Sequence, residues 1–346
     1  MQELGKESLQ ELQLELERHK EVLILIHHNP DGDALGSSLA LSMYLEQYGH
    51  TCSIISPNAY PDFLQWMPGI GRVRRADLEP EACRQAVIKA EFIFCLDFNQ
   101  SKRVQELQGA LESSNAYKAL IDHHISPSGI FNFVYSVTNR TSSTCELVYR
   151  FITHYRQDGD KITREMAECL YAGIMTDTGS FSYSCDNPST HETAARLIAM
   201  QINGEHIHRC VYDNYSESRV RLLGFCLSER MTVMKELGTS YIFLTKEDLE
   251  RFNHQQGDTE GIVNYGLSMK GIRFTAFFSE RDNRIRINFR SKGDFDVNAF
   301  ARAHFNGGGH KNAAGGESFD TMEETIARFL DSLELYRNQL SQPCIG

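Results

Sequence analysis

"IHHNPDGDALGSS", residues 26–38, follows directly on the apolar run Val22-Leu23-Ile24-Leu25. Apolar residues at successive rather than alternate positions read as a strand buried on both faces, as in a parallel sheet. The segment that follows, "ALGSSLALSMYLEQYG" (34–49), reads as a helix closed by Gly49 in a C-cap role. Between strand and helix lie His27, His28, Asp31 and Asp33. Potential ligands are thus crowded at the carboxyl end of a buried strand.

The same pattern recurs outward from this point. Residues 52–55 read as a second strand, 92–96 as a third ending at Asp97, and 117–121 as a fourth leading into Asp122-His123-His124. Helices are expected over 8–19, over 162 onward into a loop at Asp177, and over 189–203 with a Ser/Thr cap and a glutamate in its first turn. Residues 204–218 read as a connector. Beyond about 225 the chain turns β-rich, with "MTVMKEL", "TSYIFLT", "IRFTAFFSE" and "RIRINFRS", then a glycine-rich segment and a terminal helix over 321–340. The expected fold is α/β in two domains: a parallel-sheet domain with flanking helices over 1–205, a linker over 206–225, and a smaller mixed-sheet α/β domain over 226–346.

The chain has 346 residues, 41% of them hydrophobic, enough for two cores. No apolar run approaches the roughly 20 residues of a membrane span, and the charged N-terminus has no signal-peptide core. Nine cysteines without a CxxC pair read as free thiols of a reducing cytoplasm. Asn139-Arg140-Thr141 matches a glycosylation sequon that has no meaning without secretion. A net charge of −11 argues against binding long duplex nucleic acid, which favours basic surfaces. A small phosphate-bearing ligand held by a few local cations stays compatible with it.

Asp31 and Asp33, Asp97, and Asp122-His123-His124 each stand just past a strand's carboxyl end, with Asp177 on a neighbouring loop. In open α/β sheets that edge is where ligands bind. Taken singly, these residues have simpler readings: Asp33 as a helix cap, His123 as a hydrogen-bonded histidine, Thr176–Gly179 as a turn. Taken together, they read as a cage for divalent cations. Oxygen donors with occasional imidazoles suit Mn²⁺ first and Mg²⁺ second, better than structural Zn²⁺. Two such ions about 3.5–4 Å apart are typical of phosphoester hydrolysis.

"NPDGDALGSS", "LDFN", "IDHH" and "MTDTGSF", in this order, resemble the motifs of the DHH phosphoesterase superfamily, and "GGGHKNAAGG" (307–316) resembles the signature of its DHHA1 domain. The length and layout look most like the nano-RNase and pAp-phosphatase type. The resemblance implies that His27, Asp31 and Asp97 hold one ion, and that Asp33, Asp97, His123 and Asp177 hold the other. It also implies that Asp122 orients His123 and that His124 faces the substrate phosphate; these two are the implied catalytic residues. Asn306 stands where many relatives have a glycine, and His28 takes no role.

Four aspartates against two divalent ions leave no surplus positive charge, so an anionic substrate needs cations elsewhere. In "RIRINFRSK", Ile285, Ile287 and Phe289 fall on one strand face and Arg284, Arg286, Asn288 and Arg290 on the other. Arg284 reads as a solvated position; the resemblance implies that an arginine placed like Arg290, beside the loop, meets the substrate, and Arg286 is intermediate between the two. A glycine run is more often only a turn, but the resemblance implies that Gly308 and Gly309 offer backbone N–H groups to an anion and that His310 adds a hydrogen-bond donor to the substrate. Arg103 is a further candidate phosphate contact. The implied picture is a two-part clamp with a flexible connector.

The expected activity is a cytoplasmic, metal-dependent phosphoesterase that degrades very short RNA to nucleoside 5′-monophosphates and dephosphorylates 3′-phosphoadenosine 5′-phosphate (pAp) to AMP. Cyclic or linear dinucleotides are the alternative substrates, and a catalytically inactive nucleotide-binding protein is the alternative class. No membrane or long-duplex partner is expected; a homodimer is left open.

Overall fold

The computed structural model describes residues 4–341 except 126, 139, 256 and 282, so Asn139 and Cys344 lie outside it. The chain divides into two units between Asn214 and Tyr215. The first is built on a six-stranded, wholly parallel sheet. Its strands are β1 (Glu21–Ile26), β2 (Thr51–Ser56), β3 (Val73–Arg75), β4 (Phe92–Leu96), β5 (Tyr117–Asp122) and β6 (Phe133–Ser136). Their order is β3-β2-β1-β4-β5-β6. The chain therefore winds one way from β1 and then the other way from β4, leaving a switch point between these two strands. Ligand crevices of open α/β sheets lie at such points.

The unbroken apolar run of β1 has its explanation in this sheet. Val22, Ile24 and Ile26 pack into one core, and Leu23 and Leu25 into a second core on the opposite face. The helix Gly32–Glu46 is buried almost all round, which accounts for its small and apolar composition. It packs against the helix Arg164–Asp177. At Gly173 a Cβ would stand 2.2 Å from Cys145 Sγ and 3.1 Å from Asp33 Cα, so only glycine permits this approach.

The structure corrects two expectations here. The helix Pro188–Ala199 is capped by Asn187, whose side chain accepts from Ser189 N, with Pro188 at the first helical position. Residues 204–218 are not an irregular connector: Gly204–Tyr212 is a helix whose Ile207 and Val211 enter the first core, and a further helix, Glu217–Glu229, opens the second unit. Histidines and arginines around Ile207 and Val211 conceal a short amphipathic face.

The second unit carries a mixed six-stranded sheet in the order β11-β12-β10-β9-β8-β7. The strands are β7 (Met231–Met234), β8 (Thr239–Leu244), β9 (Phe274–Arg281), β10 (Arg284–Ser291), β11 (Gly308–His310) and β12 (Ala313–Ser318). Only the β8–β9 pair is parallel. Ile285, Ile287 and Phe289 of β10 enter an aromatic-rich core with Phe274, Phe278, Phe300 and Phe329. All eight cysteines within the described residues are unpaired, and no helix there is long and apolar enough to cross a membrane.

Candidate metal centre

The carboxyl ends of β1, β4 and β5 deliver His27, Asp97 and Asp122-His123-His124 to the switch point of the first unit. The helix Gly32–Glu46 brings Asp31 and Asp33, and the last residue of Arg164–Asp177 brings the remaining carboxylate. Within this unit three groups form, all around Asp97: His27, Asp31 and Asp97; Asp33, Asp97 and His123; and Asp97, Asp122 and His124, the last already closed by the hydrogen bond between His124 and Asp122. His27 Nε2 lies 3.2 Å from Asp97 Oδ2 and 4.0 Å from Asp31 Oδ1. His123 Nε2 lies 3.5 Å from Asp97 Oδ1, 3.4 Å from Asp177 Oδ2 and 3.9 Å from Asp33 Oδ2.

His27 tests whether this donor set fits a cation. Its Nδ1 stands 2.9 Å from the His28 carbonyl oxygen, which only accepts, so Nδ1 carries the proton. In the neutral ring Nε2 is then a lone pair. That atom is buried, makes no well-aligned hydrogen bond among the described residues and is aimed at two carboxylates, so that only a proton, shared with Asp97, or a cation can sit there favourably. A lone pair facing carboxylate oxygens is repulsive unless positive charge stands between them. Donors sharing one octahedral ion at about 2.1 Å stand about 3 Å apart when adjacent and about 4.2 Å when opposite, and the separations found, 3.2–4.0 Å, fall between these. The donor set therefore fits divalent cations.

The electrostatics point the same way. Burial pushes the Asp33 carboxyl well above its usual range, and the charges of Asp97 and Asp177 push it further. Burial likewise raises Asp177, to about 7. Burial would raise Asp97 too, but hydrogen bonding with His123 and His27 overrides it and holds Asp97 well below the carboxylate range. Burial disfavours the charged forms of His27 and His123, yet hydrogen bonding and charge from Asp97, with Asp177 acting on His123, hold both above the usual histidine range. Protons are shared among crowded acids where cations would relieve the repulsion.

Three residues stand differently from their sequence reading. The helix cap is Asp31, not Asp33: Asp31 Oδ1 accepts from Asp33 N and Ala34 N at 3.0 and 3.1 Å. Asp122 holds His124 rather than His123, through His124 Nδ1 at 2.7 Å and His124 N at 3.1 Å. In the second unit Gly309 N–H is already donated to Asn298 Oδ1 at 2.9 Å and is not offered to an anion. Gly309 answers a packing demand instead: with φ +154, its Cβ would stand 2.5 Å from Ala313 O. Asn306 has φ +47, a left-handed backbone that asparagine tolerates, which explains how it stands in a glycine's place.

The remaining candidates are placed as follows. Arg103 lies in the turn Ser101–Leu107; its carbonyl accepts from His28 N at 2.8 Å and its charge opposes protonation of His27. Arg284 pairs with Glu317 at 2.9 Å. Arg290, Ala313 and His310 form one row across β10, β12 and β11, and Asn288, Gly315 and Gly308 form the next. Directly paired residues point to the same face. That face carries Arg286, Arg290 and His310 with only small residues between the last two, opposite the aromatic core.

Sequence reading missed the segment Ser142–Glu146. Both oxygens of Asp33 accept backbone N–H groups from it: Thr144 N to Oδ2 at 2.6 Å and Cys145 N to Oδ1 at 2.8 Å. Thr144 Oγ1 donates to Asp97 Oδ1 at 2.8 Å. Glu146, fully buried, accepts from Ser142 N and Oγ, Ser189 Oγ, Thr190 Oγ1 and Arg150. The signal was Ser143-x-x-Glu146 ahead of an apolar run, a helix-start pattern, and Ser143 does cap that helix.

Comparison with known proteins agrees with this architecture. Residues 21–174 match the DHH family N-terminal domain and residues 238–338 the DHHA1 domain. The solved structure of an exopolyphosphatase-related protein from Bacteroides fragilis is 40% identical, with a TM-score of 0.92 over 99% of this chain and 100% of that one. The bifunctional oligoribonuclease and PAP phosphatase NrnA of Bacillus subtilis is 28% identical over 308 residues, 88% of this chain and 92% of the relative. RecJ of Thermus thermophilus, solved with Mn²⁺, shares the fold at a TM-score of 0.54 and 13% identity, over 97% of this chain and 55% of that one. The chain belongs to the DHH family, with a DHH domain followed by a DHHA1 domain.

Proposed function

We propose that this protein is a phosphoesterase that degrades very short RNA to nucleoside 5′-monophosphates and dephosphorylates pAp to AMP in the cytoplasm. The observation that carries the reading is Asp97, shared between two His/Asp groups at the switch point of the parallel sheet. The activities for which the Bacillus subtilis relative is named, oligoribonuclease and PAP phosphatase, support the choice of substrates.

His27, Asp31 and Asp97 would hold one divalent cation, and Asp33, Asp97, His123 and Asp177 the other. Mixed carboxylate and imidazole donors favour Mn²⁺ over Mg²⁺. Such ions supply Lewis acidity at the phosphoryl group and activate a water. Asp122 accepts from His124 Nδ1 and so turns the opposite ring nitrogen, Nε2, toward the leaving oxygen, where it donates or receives a proton. In the second unit Arg290 and His310, with Arg286 beside them, bind a phosphate of the substrate, and the small residues between Arg290 and His310 leave room for it. Arg103 adds positive charge near His27.

The purified protein with Mn²⁺ should be offered a length ladder of RNA oligomers, pAp and inorganic polyphosphate side by side. Polyphosphate belongs in the panel because the 40% identical structure is that of an exopolyphosphatase-related protein. Turnover falling steeply with RNA length, together with release of AMP from pAp, is the expected result. Hydrolysis of polyphosphate with neither RNA nor pAp cleaved would overturn the reading.

A further inference from the structure

Thr144 joins two carboxylates that repel one another. Its backbone N–H donates to Asp33 Oδ2 at 2.6 Å and its hydroxyl to Asp97 Oδ1 at 2.8 Å. Asp33 comes from the helix after β1 and Asp97 from the end of β4, so the residue spans the switch point from a third element. The orientation of an aspartate carboxylate about its last bond is soft. Asp97 moreover stands on a left-handed backbone, φ +63, which is unusual outside glycine. Yet Asp97 must keep Oδ2 toward His27 and Oδ1 toward His123 if each group is to have an oxygen. Thr144 is fully buried and β-branched, so its hydroxyl has little freedom to turn away. Glu146, saturated by its five donors, fixes the segment that carries Thr144.

We infer that Thr144 is a positioning residue, whose hydroxyl pins the carboxylate of Asp97 so that its two oxygens serve two cations at once. This inference rests on the two-cation reading above. A carboxylate released by loss of that hydroxyl turns toward one group and starves the other. The first Mn²⁺ then binds almost normally and the second weakly.

The test compares wild type, Thr144→Val, which keeps the shape and loses the hydroxyl, and Thr144→Ser, which keeps the hydroxyl. Calorimetry gives Mn²⁺ stoichiometry and affinity, electron paramagnetic resonance reports exchange coupling between the ions, and circular dichroism checks the fold. For Thr144→Val the expected result is a second Mn²⁺ bound about 10- to 100-fold more weakly, with the spectrum of isolated Mn²⁺ in place of the coupled one. Thr144→Ser should restore the coupled spectrum. A folded Thr144→Val protein with two tightly bound, coupled ions overturns the inference while leaving the two-cation reading intact. A wild type that binds fewer than two Mn²⁺ overturns both. Should the valine variant not fold, Thr144→Ser decides: loss of coupling in that folded protein also overturns the inference.

Discussion

His124 and Asp122 are joined twice: Nδ1 of the histidine donates to one carboxylate oxygen at 2.7 Å, and its backbone N–H donates to the other at 3.1 Å. The neighbouring His123 turns to Asp97 and Asp177 instead. The Asp-His-His run thus sends its two rings to different partners, an arrangement that in the proposed function suits His123 to a cation and His124 to the substrate. Asp122→Asn removes the charge that orients His124. We expect kcat to fall about 10- to 100-fold, with Mn²⁺ affinity nearly unchanged in calorimetry. A large loss of Mn²⁺ would instead make Asp122 a ligand.

Asp97→Ala should remove turnover and both tightly bound cations together, because each group depends on that carboxylate. Chelation of the wild type should lower its melting temperature and Mn²⁺ should raise it, since a ligand that binds only the folded state stabilises it. The Asp97→Ala variant should show no such response. A variant whose melting temperature still rises with Mn²⁺ would mean that the ions bind elsewhere.

Arg290→Ala and His310→Ala should raise KM for pAp by about tenfold or more, the weight of a hydrogen bond to a charged group, with a smaller change in kcat. Arg284 lies on the same strand face but pairs with Glu317. Arg284→Ala should leave both constants within about twofold, as expected for an exposed pair. Equal effects from Arg284 and Arg290 would show a general loss of positive field rather than a specific grip.

Glu146 yields a prediction about stability and pH. Burial would raise its carboxyl, but the Arg150 charge and bonds from Ser142 and Ser189 outweigh burial and hold it below the usual range. A depressed carboxylate contributes stability above its unfolded pKa and loses it as pH falls through the folded one. Breaking a buried pair by removing one partner costs about 3–5 kcal/mol. Urea unfolding of Glu146→Gln against wild type should show that gap at neutral pH. The gap should narrow as pH drops below about 4, the range of an unperturbed glutamate. A gap that stays constant well below that pH would remove the ionised Glu146 from the account.

Much of the first unit was legible because its chemistry is local. β1, β4 and β5 are apolar runs that end in ligand residues, so strand and site signal each other. β3 and β6 passed unread: Val73–Arg75 and Phe133–Ser136 are short, and their polar residues mask the pattern. The candidate ligand residues could be picked out from position along the chain, and the structure brings them together at one crevice. Partner choice could not, since whether Asp122 reaches His123 or His124 depends on ring orientation. The Thr144 contacts were hidden for another reason. Of the three bonds that Thr144 and Cys145 give to Asp33 and Asp97, two are made by backbone N–H groups, which every residue but proline possesses, so residue type carries no trace of them. In the second unit the alternation of β10 was plain, whereas β11 and β12 are glycine- and alanine-rich strands whose pairing follows from close approach rather than from side-chain pattern.

The reversal of strand order between β1 and β4 also bears on assembly. His27 and Asp97 emerge from strands that touch in the finished sheet but are separated along the chain by two intervening strands and their helices. A nascent chain that has completed only β1 to β3 holds His27, Asp31 and Asp33 but no Asp97, so it has no shared carboxylate to seat a pair of ions. On the proposed two-cation reading, loading would therefore wait until both halves of the sheet have closed on each other, and uptake of the second ion would report that the domain is finished.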